Sequence, residues 1–132
     1  MVILVDTSAW IEYLRGTGSA ANVRVRALLL SDQAVATTEA VVMELLAGGR
    51  NDVERRRIQE VVDGCELLPV GGLDDFEHAA DLYRSCRERG ETVRALVDCL
   101  IGAVAIRNNV PVLHDDADFD VLARHTAVRV SA

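Results

Sequence analysis

No lysine occurs anywhere in the 132 residues; all fourteen basic residues are arginines. Phosphorelay receiver domains and haloacid-type phosphatases also gather acids at the ends of parallel strands, but both normally place a lysine beside the phosphoryl group. The haloacid pattern further expects a second Asp two residues after the first, where this chain has Ser8. Cysteine is scarce as well: Cys65, Cys86 and Cys99 are an odd number with no CxxC spacing, which excludes a disulfide framework. They are expected to be reduced and buried, and a zinc site would have to recruit His78, His114 or His125 from remote parts of the chain. No apolar run approaches the ~20 residues of a membrane span. The opening VILVD lacks the basic flank of a signal peptide, so a soluble, cytoplasmic protein is expected. With only five aromatic residues, Trp10, Tyr13 and Phe119 are assigned to core packing rather than to a platform for stacking bases.

Positive charge is in deficit. Fourteen Arg against twenty-one acids give 14 − 21 = −7, whereas a nucleic-acid-binding protein is usually basic. Two bound divalent cations would bring the total to −3, so part of the deficit belongs to a metal site. Most remaining acids read as solvated helix faces, as does the Arg55–Arg57 run, with contact to an RNA backbone as its alternative.

Half of the residues are apolar, enough for one core of ordinary size, and residues 1–132 are expected to form a single domain. Short β-branched or apolar runs alternate with helical patterns, which predicts a parallel sheet flanked by helices. Strands are expected at 2–5, 34–37, 66–70, 110–114 and 127–130. Helices are expected near 8–15, 19–30, 39–47, 52–62, 74–89, 95–108 and 118–125. Ser8 and Thr38 fit as N-caps, and Gly48, Gly64 and Gly90 as C-terminal stops. Gly16–Ser19 and Gly71–Gly72 are ordinary loops without the context of a phosphate-binding glycine motif.

Against this background five acids stand out: Asp6 after VILV, Glu44 in VVMELLAG, Asp98 in VRALVDCLIGAVAI, and Asp116 with Asp118 in HDDADFD. Each adjoins a strongly apolar stretch, where an acid is costly unless its charge is offset. In parallel α/β sheets ligands bind beyond the carboxyl ends of the strands. Asp6 and Asp116 follow strands there, and helices can bring Glu44 and Asp98 to the same rim. Clustered carboxylates repel unless a cation is present, and hard oxygen ligands without His or Cys select Mg²⁺, with Mn²⁺ as substitute, over zinc. Such a centre hydrolyses phosphodiesters with activated water and no side-chain nucleophile, leaving a 5′-phosphate and a 3′-hydroxyl.

The ordered motifs VDTSAW, MELLAG, ETVRALVDCLIGAVAI and LHDDADFD resemble the PIN-domain family, and specifically the toxin subunits of VapBC-type toxin–antitoxin pairs, over essentially the whole chain. The resemblance implies a three-layer α/β/α domain with a central, mainly parallel five-stranded sheet. It implies a Mg²⁺-dependent endoribonuclease that cuts structured RNA such as tRNA or rRNA and inhibits translation. Asp6, Glu44, Asp98 and Asp116 match the family's catalytic acids. Asp6, Asp98, Asp116 and a fifth acid, Asp118, match metal ligands. Thr7 or Ser8 takes the hydroxyl position beside the first Asp, and Arg94 is a candidate for phosphate contact or for bracing the acids. Asp115 competes with Asp116 for the metal. Partnership with a VapB-type antitoxin and a homodimer are likewise implied, with no membrane association and no direct DNA recognition by this chain. The alternatives are a PIN nuclease of RNA processing and a metal-independent ribonuclease toxin working through His and Arg.

Overall fold

The computed structural model describes residues 1–131. Its elements are β1 (Val2–Val5), α1 (Thr7–Leu14), α2 (Ala20–Leu29), β2 (Ala34–Thr37), α3 (Glu39–Gly48) and α4 (Asp52–Asp63), then β3 (Glu66–Leu67), α5 (Leu73–Glu88), α6 (Leu96–Arg107), β4 (Val112–Leu113) and α7 (Ala117–His125). All strand pairs are parallel, in the order β3-β2-β1-β4. From β1 the chain steps outward through β2 and β3, then returns to place β4 on β1's other side. The strand order therefore reverses between β1 and β4, where such sheets bind ligands.

The sheet has four strands rather than the five expected. The segment at 127–130 forms only an isolated bridge between Val112 and Val130. Leu113 and Pro111 direct their carbonyls to β1, at 2.9 Å from the Asp6 N–H and 3.0 Å from the Leu4 N–H. Proline has no N–H to offer, so only Val112 presents both groups outward: its N–H donates to Arg129 O at 2.9 Å and its carbonyl accepts from Ser131 N at 2.8 Å. β3 is also shorter than expected, because Pro69 cannot donate and the Val70 N–H is taken by the Glu39 carboxylate at 2.8 Å.

The core is built on β1, whose Leu4 and Val5 are fully buried, together with Trp10, Val41, Ile101, Phe119 and Leu122. α6 buries residues on nearly every side, from Asp98 to Ala105. Its small residues permit close approach: a Cβ on Gly102 would lie 3.0 Å from Val128 Cγ2. α5, α6 and α7 pack on one another, and α3 joins α6 to α1 and α4. A half-exposed Arg107 guanidinium at the end of α6 ties α5 down by gripping the buried Asp75 at 2.9–3.2 Å.

Candidate active site

Asp6 leaves β1 at the centre of the sheet and is 2% exposed. Its Oδ2 accepts from the Ser8 N–H at 3.0 Å and the Ser8 hydroxyl at 2.6 Å, so Asp6, not Ser8, is the N-cap of α1. An aspartate accepts an N2 amide as readily as a serine and sits one turn-step earlier, at the strand end. Ser8 instead braces two segments, because its oxygen also accepts from the Asp115 N–H at 2.9 Å. Thr38 does precede α3 but makes no side-chain cap bond.

Asp116 repeats the pattern after β4: it caps α7, and its Oδ1 accepts from the Asp118 N–H at 2.9 Å. Asp118, in the first turn of α7, receives the Arg94 N–H on Oδ1 and the Ala95 N–H on Oδ2, each at 3.0 Å. Those bonds hold the loop that starts α6, whose first turn carries Asp98. The starts of α1, α6 and α7 thus meet at the sheet's switch point, where helix dipoles favour negative charge.

One carboxylate oxygen from each of Asp98, Asp116 and Asp118 lies within 4.8 Å of the others. Asp6 falls outside that tight trio, yet its charge acts on Asp98. Two oxygens, Asp6 Oδ1 and Asp98 Oδ2, are buried without any hydrogen-bond donor, although buried polar atoms are ordinarily satisfied. Without a cation, burial pushes the Asp98 carboxyl up to about 9, helped by the Asp6 charge and the contact with Asp118. Asp6 is pushed up to about 6, again by burial first, with the Ser8 hydrogen bonds opposing it. Burial raises Asp118 too, but the donors from Arg94, Asp98 and Ala95 outweigh it and hold that carboxyl below its ordinary value. A set made only of carboxylate oxygens, two of them unsatisfied, fits a hard divalent cation of the Mg²⁺ or Mn²⁺ kind.

The other expected residues are placed as follows. Glu44, half-buried on α3, accepts from the Thr7 hydroxyl through Oε1 at 2.8 Å, and its charge acts on Asp6. Arg94 is largely exposed and reaches Asp116 Oδ1 at 3.3 Å and Asp118 Oδ1 at 3.4 Å. Asp115 is exposed and absent from the trio. His114 is a hydrogen-bonded structural residue: Nδ1 accepts from the Asp116 N–H at 3.1 Å, and the ring lies 5.3 Å from Phe119. Trp10 and Phe119 are core residues, as expected, and the cysteines are free, with Cys65 only partly buried. Among the described residues no His or Cys joins a metal-ligand cluster. One feature the sequence hid is a cleft beside Glu44 lined by Arg15 and Arg57; Arg57 is exposed on α4, as expected, but a linear run does not show what the neighbouring helix contributes.

The PIN domain family model matches residues 3–125, and the chain belongs to that family. Within it the likeness is to VapC proteins. The chain is 46% identical over 132 residues to Ribonuclease VapC11 of Mycobacterium tuberculosis, covering 99% of this chain and 98% of that one. It is 30% identical over 93 residues to Ribonuclease VapC51 of the same organism, covering 70% and 67%. Among solved structures, VapBC-5 from M. tuberculosis aligns with a TM-score of 0.66 at 27% identity, covering 98% and 96%. VapBC2 from Rickettsia felis, solved bound to a promoter DNA fragment, aligns with a TM-score of 0.74 at 14% identity, covering 99% and 98%, and supports the fold alone.

Proposed function

We propose that this protein is a divalent-metal-dependent endoribonuclease, the toxin of a toxin–antitoxin pair, in which Asp6, Asp98, Asp116 and Asp118 hold Mg²⁺ or Mn²⁺. The observation that carries the reading is the pair of buried, donorless oxygens Asp6 Oδ1 and Asp98 Oδ2 within an all-carboxylate cluster. Burying both groups as anions costs several kcal/mol, which a bound cation would offset. When bound, the metal lowers the pKa of water and offsets phosphate charge. Ser8 fixes Asp6 so that Oδ1 faces away from the helix cap. Asp118 positions Asp98 by pinning the backbone at the start of α6. Thr7 orients Glu44 through Oε1, leaving Oε2 to accept a proton from the attacking water. Arg94 sits at the solvent side of Asp116 and Asp118, where an incoming phosphate meets it.

The ribonuclease names of the curated relatives support the choice of RNA. One of the solved relatives, VapC20 of M. tuberculosis, is described as a toxin that cleaves the sarcin–ricin loop, which favours structured RNA and inhibition of translation. The VapBC complexes among the structural relatives support a VapB-type antitoxin as partner, and we include a homodimer in the proposal.

The test is hydrolysis with and without metal. EDTA should abolish cleavage, Mg²⁺ or Mn²⁺ should restore it, and the new ends should carry 5′-phosphates. Cleavage that persists in EDTA with 2′,3′-cyclic phosphate ends would refute the metal mechanism in favour of acid–base chemistry by His and Arg.

A further inference from the structure

Beside the acids, on the Glu44 side, a cleft of about 370 Å³ opens between α1, α3 and α4. Its floor is apolar, from Ile11, Leu14, Leu45 and Ile58, and its charged groups are Arg15, Arg50, Arg57, Glu44 and Glu54. Glu54 is already paired with Arg50 at 2.9 Å, and Glu44 is held by Thr7. Among the described residues neither Arg15 nor Arg57 makes an ion pair within 4 Å, although the Arg15 charge acts on Glu54. Arg57 gives one N–H to the Leu14 carbonyl at 3.2 Å, which anchors the guanidinium at the cleft while leaving its other donors free.

Two unpaired guanidinium groups facing one cleft are notable in a lysine-free chain of net charge −7, where acids are available in excess to neutralise them. The cleft is continuous with the reaction centre, because Glu44 lines it. Along α1, Thr7 to Arg15 is eight residues, a rise of roughly 12 Å, so the arginines lie beyond the phosphate that meets the acids. Guanidinium forks match phosphate oxygens. The volume is that of a small-ligand pocket. No aromatic side chain lines it, so it offers charge and an apolar floor rather than a stacking platform.

We propose that this cleft is a backbone-phosphate subsite for RNA, in which Arg15 and Arg57 grip the strand next to the nucleotide that is cut. The inference rests on the nuclease reading above. Loss of both arginines should remove two phosphate contacts, so the slope of log K against log[salt] for single-stranded RNA should fall by about 1.4, at ~0.7 per contact.

The experiment compares the wild-type chain with an Arg15→Ala/Arg57→Ala double variant. Fluorescence anisotropy on single-stranded RNA in EDTA, between about 50 and 200 mM salt, reads the slope and the affinity. Hydrolysis of bis-p-nitrophenyl phosphate with Mn²⁺ reads the reaction centre alone. The double variant should bind RNA about tenfold more weakly with the reduced slope, and should hydrolyse the small diester like wild type. An Arg15→Lys/Arg57→Lys variant should keep most of the slope, since the charge remains. Unchanged RNA affinity and slope in the alanine variant would overturn the proposal. If that variant keeps RNA but loses its antitoxin, the cleft is a protein-docking groove and the proposal is likewise overturned. Failure of the wild type to hydrolyse either substrate with Mn²⁺ would refute the nuclease reading instead, and the salt slopes would still decide the cleft.

Discussion

Replacing Asp98 with Asn should stabilise the metal-free protein while destroying its activity, and the gain should grow with pH. Asp98 is 4% exposed, and without metal its carboxyl is pushed from 3.8 to about 9 by burial, by the Asp6 charge and by Asp118. Between those two values the native state keeps a proton that the unfolded chain has released. Native proton binding exceeds unfolded, so stability falls as pH rises, by about 1.4 kcal/mol per pH unit for one group. From pH 6 to pH 8 the wild type therefore loses roughly 3 kcal/mol from Asp98 alone. Asp6, pushed up to about 6, adds a loss of the same sign below that range. The Asn variant has no such proton, and its amide can donate to Asp118 as the protonated acid does.

The assay is thermal or urea unfolding in EDTA across pH 6–8. The stability difference between Asp98→Asn and wild type should widen by roughly 3 kcal/mol, which for a domain of this size is on the order of 10 °C in Tm. Added Mg²⁺ should stabilise the wild type by about 2.7 kcal/mol at one hundred times its Kd and leave the variant nearly unmoved. Parallel pH profiles for the two proteins in EDTA would refute the reasoning, because Asp98 would then be ionised in the folded state without a cation.

Two further outcomes follow from the same geometry. Arg94→Met should tighten Mn²⁺ binding modestly, by roughly two- to fivefold in calorimetry, because a guanidinium 3.3–3.4 Å from Asp116 and Asp118 competes with the cation only as an exposed, solvent-screened pair; weaker binding would mean that Arg94 organises the acids instead. Asp75→Ala should cost about 1–3 kcal/mol in urea unfolding at pH 7, since it leaves the Gly71 N–H without its acceptor and the half-exposed Arg107 with only the Pro69 carbonyl. The Arg107 hydrogen bond and the Gly71 N–H hold Asp75 below its ordinary pKa against the opposing effect of burial, so that stabilisation is present above the unfolded value of about 3.9 and is lost as pH falls through the folded one. Wild type and variant should converge in acid, and a constant gap down to pH 2 would contradict the ion pair's role.

Elements with long, one-sided patterns were legible in the sequence. β1 and β2 begin and end where expected, and no helix end departs by more than one residue. The misplaced pieces share a cause: strand length is set by which partner edge is free, and that is a property of the assembled sheet. Val110–His114 reads as five strand residues, yet Pro111 and the demands of β1 leave two in the ladder and one bridge beyond it. The acids were legible because each one interrupts apolar sequence. The second occupation of Asp6 and Asp116 as helix caps was not, since VDTS allows either Asp6 or Ser8 to cap α1 and only the strand end settles which does.

That double occupation links stability to chemistry. Asp6 and Asp116 each commit one oxygen to a helix start, through Ser8 and Asp118, and Asp118 commits both of its oxygens to the approach to α6. Capping fixes the Asp6 and Asp116 carboxylates without a cation, and Asp118 fixes the backbone that leads to Asp98, so in the proposed centre the free oxygens on Asp6 and Asp98 are in place before a cation arrives. Removing one of these acids should therefore move a second as well: an Asp118 change should shift Asp98 through the backbone of Arg94 and Ala95, although the two residues lie on different helices. Burial first, and the neighbouring acids second, are what make the ionised, metal-free centre costly, and on the proposed reading a small divalent cation would offset that cost.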